Sequence, residues 1–348
     1  TTFEIFATED IMTQDNQGTK WFNSGEKVAT IITGESAEFK QMCNGICTYS
    51  VDDVTGAVKV SLPLGKYVVK EIKTNYGYVL GEQAEWNVEF TWSSQDDEYV
   101  LDSSENTDKN GILKINNDRA KADLSIVKKD AKVDMGVKDT KFGFYTRNNI
   151  YSADGDIIAE AGELLTVVTT DEKGIAKVGL DLPIMSKGYD SEAEDNYGLN
   201  SGDYYFIEQY ISDSYYIDKK EIPVHLEYAD MNTPMIVAQA KQVNAQTEVE
   251  IDKIGIAGSE ELNGCELVVT DEEGNQIIRW ISGEKNSSKI TEMAEQLGYA
   301  NLKAEFDEKG HIIVRGLMHD KQYTLTEIRP ADGYITAGSI CFLLVQDK

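Results

Sequence analysis

Three stretches of this sequence share one frame. GKYVVKE (Gly65–Glu71), GDYYFIE (Gly202–Glu208) and KQYTLTE (Lys321–Glu327) each read as a β-strand. Side chains alternate along a strand, so Tyr67, Val69 and Glu71 share a face, as do Tyr204, Phe206 and Glu208, and Tyr323, Leu325 and Glu327. A face that carries two core residues turns its third residue inward as well, so each strand aims a carboxylate at its core. A tyrosine also follows each Glu in the same frame, at Tyr78, Tyr215 and Tyr334. The expectation for these rings is core packing with the hydroxyl hydrogen-bonded. A frame that recurs three times predicts a repeated module.

The rest of the chain agrees with a β module. VEFTW, ILKIN, DLSIV, LLTVVTT, VHLEY, IIV and CFLLV are short, β-branched or aromatic runs, separated by turn sequences such as ADGD, DEKG, DEEGN and DEKGH. This punctuation predicts an all-β chain of tandem immunoglobulin-like sandwiches. One stretch breaks the pattern: SKITEMAEQLG places Ile290, Met293 and Leu297 on one helical face and ends at Gly298, which predicts a short helical insertion in the third module. Phe3–Ile11 aligns with Phe142–Ile150, and Ser24–Val28 with Ala161–Leu165. The joins fall near residues 116–122 and 243–248, giving modules over 1–120, 121–246 and 247–348. Both joins are short and free of Gly and Pro, which predicts a stiff string of modules. Residues 34–50, 184–201 and 285–305 read as insertions.

Charge and cysteines narrow the function. Lys plus Arg number 33 against 61 for Asp plus Glu, a formal net charge of −28. Such a field repels nucleic acid and anionic membrane. No apolar run is long enough to span a bilayer, and no secretion signal is visible. Cys43 and Cys47, in CNGIC, could close a small disulfide loop or stand as two thiols; their spacing is not that of a zinc site, and His225, His311 and His319 lie far from them. No metal site is expected. Cys265 shares a face with Leu267 and Val269 and reads as a small core residue, while Cys341 has no evident role.

A second kind of strand explains what an inward Glu could do. In DLSIVKKD, Leu124, Ile126 and Lys128 share a face, and in VEIDK, Val249, Ile251 and Lys253 do. The strands that close modules end on asparagine: Leu113, Ile115 and Asn117 share a face, as do Ile236, Ala238, Ala240, Gln242 and Asn244. The middle module therefore combines an inward Lys128, an inward Glu208 and an inward Asn244. Burial disfavours the charged forms of both Lys and Glu. A neutral amine is a nucleophile, and a carboxyl group can shuttle protons. Attack on the Asn amide with loss of ammonia would leave an amide crosslink between first and last strands. The plainer alternative is a Lys128–Glu208 salt bridge with Asn244 at an exposed strand end.

These residues carry a family resemblance. The K-x-D at Lys128, the G-[KD]-Y-x-x-x-E frame and the Tyr after a turn resemble Cna B-type (prealbumin-like, SpaA-type) domains of Gram-positive surface proteins, and the resemblance covers essentially the whole chain in three modules. It implies immunoglobulin-like sandwiches of the kind found in pilins and adhesin stalks, with self-formed Lys–Asn isopeptide bonds. Carried over, Lys128 resembles the nucleophile, Glu208 the proton-shuttling acid and Asn244 the acceptor. The first module offers Glu71 and Asn117 without the lysine; the third offers Lys253 and Glu327 without the acceptor, Asp347 lying too close to Glu327. The first module is thus expected to lack its first strand and the third its last, as in a fragment of a longer repeat protein or one completed by a neighbouring subunit.

The resemblance implies a structural stalk or fibre segment, exposed on a cell wall and partnered by neighbouring domains or subunits. It needs no cofactor and reacts in a single turnover, so it is not an enzyme. The alternative is an adhesive module whose inserted loops bind a host protein or glycan. No P-loop, G-x-S-x-G or H-E-x-x-H motif supports a third, enzymatic class.

Overall fold

A computed structural model describes residues 1–15, 17–91, 100–101, 113–151, 156–185, 199–256, 258 and 260–345. Among them the regular structure is β throughout, apart from one 3-10 turn at Cys43–Gly45.

The middle module is a two-sheet sandwich. One sheet runs Leu199–Asn200, Ile175–Met185, Lys121–Asp130, Met235–Asn244; the other runs Leu164–Thr169, Lys141–Thr146, Gly202–Tyr210, Ile222–Leu226. Their inner faces meet in one core that includes Leu124, Ile126, Phe142, Phe144, Phe206 and Leu226. Each large apolar side chain removed from water there contributes about 1.5–3 kcal/mol. First and last strands pair in parallel over ten positions, from Lys121 opposite Met235 to Asp130 opposite Asn244. That pairing sets Lys128 opposite Gln242, one side-chain period before Asn244.

The first module has a six-stranded sheet ordered Val100–Leu101, Glu85–Thr91, Gly65–Lys73, Thr2–Ala7, Lys27–Ile32, Ser36–Phe39. Among the described residues a hairpin, Thr48–Val51 with Val58–Ser61, packs on its core through Val58 and Val60, and Ile11–Met12 pairs with Lys20–Phe22. Residues 114–118 form no ladder, yet Leu113 and Ile115 pack on the module's core. The third module pairs Glu248–Ile251, Ile312–Arg315 and Lys303–Phe306 in one sheet; the other is ordered Lys289–Ile290, Gln276–Ile281, Glu266–Thr270, Gln322–Arg329, Ile340–Leu343. Ile340–Leu343 runs antiparallel to the Glu327 strand, as Ile222–Leu226 does to the Glu208 strand. Among the described residues, no strand takes the place that Met235–Asn244 has in the middle module.

The expected helix over Ser288–Gly298 is absent; residues 292–298 form successive turns. Leu297 N–H bonds to Met293 in helical spacing, but Ala294 reaches Thr291 and Gly298 reaches Glu295, each a tighter turn. A short segment has little intrinsic helicity, and here Ala294, Leu297 and Tyr299 turn into the core while Met293 is left exposed. Packing has overridden the local periodicity. The acidic part of the 184–201 insertion lies outside the described residues.

The joins are hydrogen-bonded to both sides. Tyr228 donates to the Tyr78 carbonyl at 2.7 Å, and Leu80 N–H to Met231. At the second join, Gly316 N–H donates to Thr247, whose hydroxyl donates to the Leu317 carbonyl.

Candidate functional site

The three inward glutamates are buried: Glu71 is 4% exposed, Glu208 0% and Glu327 5%. Their surroundings differ.

In the middle module Lys128 and Glu208 are both fully buried, with Nζ and Oε1 2.8 Å apart. Nζ also donates to Gln242 Oε1 at 2.9 Å. The other carboxylate oxygen, Oε2, accepts from Asn244 Nδ2 at 2.7 Å and from the Asp218 N–H at 2.7 Å. Asn244 Nδ2 donates as well to the Tyr216 carbonyl at 2.6 Å, and its Oδ1 is buried without a partner. One carboxylate thus bridges an amine and a carboxamide. Burial pulls the Lys128 ammonium below the ordinary lysine range, against the opposing pull of Glu208.

The backbone fixes the lysine. Lys128 N–H donates to Gly174 at 2.7 Å, and its carbonyl accepts from Val137 N–H at 3.0 Å. Gly174 has φ +74°, and a Cβ there would fall 2.2 Å from the Lys128 oxygen; only glycine allows this approach. Two residues on, Asp130 accepts from the buried Tyr215 hydroxyl at 3.0 Å.

In the first module Asn117 Nδ2 donates to Glu71 Oε1 at 2.5 Å. Glu71 Oε2 and Asn117 Oδ1 are buried without partners. Burial pushes the Glu71 carboxyl above its ordinary range, only partly offset by Asn117. Asn117 lies within residues 114–118, which form no regular strand, where a closing strand is expected.

In the third module Lys253 sits two residues beyond the Glu248–Ile251 strand, with Nζ 3.4 Å from Glu327 Oε1. Glu327 Oε2 accepts from the Ala337 N–H at 2.5 Å. Burial alone would raise this carboxyl, but that N–H, the Cys265 thiol and Lys253 together hold it below the usual range. Tyr334 departs from expectation: it is 53% exposed, whereas Tyr215 is 2%. The strand after it pairs without covering the ring.

Cys43 and Cys47 are buried free thiols, and the Cys43 thiol donates to the Gln41 carbonyl at 3.7 Å. Burial and the neighbouring Cys43 push the Cys47 thiol up to about 12. Sequence spacing missed Gln242 as a partner of Lys128; its place opposite Lys128 follows only from the parallel register. It also missed a cluster around His311, whose Nδ1 lies 3.0, 3.2 and 3.3 Å from Glu250, Asp252 and Asp307. These carboxylates outweigh burial and raise the imidazole's pKa. No helix among the described residues is long and apolar enough to cross a membrane.

No family model matches the chain, and no curated protein matches it. Among solved structures the chain is similar to the Bacillus anthracis TIE protein, with 18% identity and a TM-score of 0.43 over 99% of this chain, which spans 45% of that protein. It is also similar to the shaft pilin SpaA of Lactobacillus rhamnosus GG, with 17% identity and a TM-score of 0.27, covering 66% of this chain and 94% of that one. A third is a streptococcal ancillary pilin, with 14% identity and a TM-score of 0.24, covering 100% of this chain and 89% of that one. These are likenesses of strand arrangement, and the chain's own side chains carry the functional argument.

Proposed function

We propose that this chain is a structural segment of a fibre or adhesin stalk on a Gram-positive cell surface, and that its middle module stiffens itself through a Lys128–Asn244 isopeptide bond. The observation that supports this is the Glu208 carboxylate, which faces the lysine amine with one oxygen and the asparagine amide with the other, in a site closed to water. An ordinary salt bridge accounts for the first contact but not the second. A buried ion pair also contributes little unless its hydrogen bonds are complete.

The chemistry follows from the geometry. Lys128 Nζ gives a proton to Glu208 Oε1 and, as a neutral amine, attacks Asn244 Cγ. The new C–N bond forms as the Cγ–Nδ2 bond breaks. Nδ2 takes that proton from Glu208 and leaves as ammonia, and the carboxylate so freed takes the second proton that Nζ sheds as it becomes an amide, so Glu208 ends protonated. Folding brings the groups together before reaction, and such preorganisation can supply about 7–11 kcal/mol of the barrier. The step needs no cofactor and occurs once per chain, so the protein is not an enzyme. A bond between first and last strands bars their separation and limits the unfolded chain.

The test is intact mass. The wild-type chain is expected to be lighter than its sequence by one ammonia, and Glu208→Ala to have full mass. A wild-type chain at full mass overturns the crosslink. A second reading, adhesion through inserted loops, is favoured by one observation: Met42, Ile46 and Tyr49 stand exposed on the 34–50 insertion. Loss of surface adhesion on replacing all three with Ser would support that reading.

A further inference from the structure

The turn that follows the Glu208 strand has two sets of contacts, one inside its module and one outside it. Apart from a bridge between Tyr215 and Gln246, residues 211–218 belong to no strand. On the inside they hold the reacting groups. The Tyr216 carbonyl accepts from Asn244 Nδ2 at 2.6 Å, the Asp218 N–H donates to Glu208 Oε2 at 2.7 Å, and the Asp218 carbonyl accepts from Gln242 Nε2 at 3.0 Å. On the outside the same turn carries the third module. Thr247 N–H donates to the Ser214 carbonyl at 3.0 Å, His319 N–H to the Asp213 carbonyl at 3.0 Å, and Asn301 Nδ2 to the Ser214 hydroxyl at 3.4 Å. The His319 ring lies against Tyr216, 17° from parallel with centroids 6.4 Å apart. Thr247 is fully buried at the join, its hydroxyl bonded to the Leu317 carbonyl. The first module repeats the arrangement. Tyr78 bridges Arg119 as Tyr215 bridges Gln246. Ala120 N–H donates to Gly77 at 2.8 Å, in the frame of Thr247 and Ser214. The next module again meets the turn, through Tyr228.

We propose that the third module positions the crosslinking site of the middle module: docked on the 211–218 turn, it holds Asn244 and Glu208 in the reacting arrangement, with His319 and Thr247 as positioning residues. This rests on the Lys128–Asn244 chemistry proposed above and adds its regulation. A connecting turn outside the ladders opens more readily than the strands it joins, unless other contacts tie it down. Here those contacts come from the following module. Asn244 Nδ2 sits between the Glu208 carboxylate and the Tyr216 carbonyl, and holding it from both sides fixes the plane of the carboxamide that Lys128 attacks. Ser214 and Tyr216, which meet the third module, alternate with Tyr215 and lie within four residues of Asp218, so a shift of the docked face is passed to the groups around Glu208. Reactions that depend on proximity are sensitive to such shifts, losing about 100-fold for a displacement of about 1 Å. His319 touches no reacting atom and acts through Tyr216. The bond therefore closes after the third module has folded against the turn.

The experiment follows intact mass with time as the full chain is made in a cell-free reaction, the loss of one ammonia reporting bond formation. His319→Ala and Thr247→Val, combined, are expected to slow that loss by about 10–100-fold. His319→Phe, which keeps a flat ring against Tyr216, is expected to react at the wild-type rate. Tyr228→Phe is the control: it removes the hydroxyl bond at the first join, leaves the 211–218 turn untouched, and is expected to match wild type. Thermal unfolding of each variant sets the assay temperature below every transition. Should the combined variant not fold, Thr247→Val alone, which deletes one hydroxyl, carries the test. Wild-type rates in the His319 and Thr247 variants overturn the proposal. So does equal slowing in Tyr228→Phe, and so does slowing in His319→Ala that His319→Phe fails to reverse. A wild-type chain that stays at full mass overturns the Lys128–Asn244 bond and the positioning role with it. A wild-type chain that loses ammonia while the variants keep pace overturns the positioning role alone.

Discussion

The middle and first modules place the same acid on the same strand and against the same amide, yet the two sites differ electrically. Around Glu208 each oxygen has an occupant, the lysine on one side and the asparagine on the other. Around Glu71 the asparagine is present, the second oxygen accepts no hydrogen bond, and no lysine forms an ion pair with it among the described residues. The third module gives another outcome, since the Ala337 N–H, Cys265 and Lys253 draw the Glu327 carboxyl down where burial pushes Glu71 up. A repeated motif therefore does not assign a repeated role. Which strand lies alongside decides whether the acid is paired, half-paired or satisfied by backbone.

The strongest way to break this comparison is to remove the two acceptors. If the proposed crosslink forms, Asn244→Ala should remove a bond closing a loop on the order of 100 residues, a loss of about 4.7 kcal/mol on the chain-entropy account. Asn117→Ala should cost about 1 kcal/mol, the value of one hydrogen bond. Denaturant unfolding of the two variants reads the difference, and equal costs would mean that both modules are open alike.

A smaller effect separates the tyrosines. Tyr215→Phe deletes a buried donor to the Asp130 carboxylate and should cost about 1.5–3 kcal/mol. Tyr334→Phe, at an exposed ring, should stay within about 0.5 kcal/mol. Equal costs in thermal unfolding would show that the third site is built like the second.

The subtlest test is one of sign. Glu71 has a raised folded-state pKa, so its favourable contribution is present below the unfolded value of 4.5 and is lost as pH rises through the folded value. Glu327 has a lowered one, so its contribution is present above 4.5 and is lost as pH falls through the folded value. At neutral pH, Glu71→Gln should therefore raise the Tm of its module and Glu327→Gln should lower it. Below the carboxylate range both differences should shrink. Shifts of the same sign would erase the distinction between the two sites.

Much of this was legible in the sequence, because a period of two is a strong constraint. The alternation that set Tyr67, Val69 and Glu71 on one face is enough to bury the acid, and it marked Lys128, Glu208 and Asn244 as inward. Contacts that depend on register were not legible. Gln242 meets Lys128 only because two strands distant in sequence run parallel, and His311 meets Glu250 and Asp252 across a strand pair. The helix failed because three apolar residues at helical spacing do not outweigh a core that takes Ala294 and Tyr299 instead. Tyr334 failed because the frame of the Glu strand does not extend into the turn after it.

The parallel pairing of the outer strands of the middle module has a mechanical meaning. Tension along the chain enters at Lys121 and leaves at Asn244, at opposite ends of two strands that lie side by side over ten positions. Pulling therefore slides one strand along the other and loads the whole ladder at once, a shear, where an antiparallel pair held at one end would unzip a bond at a time. Lys128 and Asn244 stand near the exit end of that ladder. With a bond between them, tension runs from Lys121 to Lys128, crosses to Asn244 and leaves, and the rest of the module lies off the line of force.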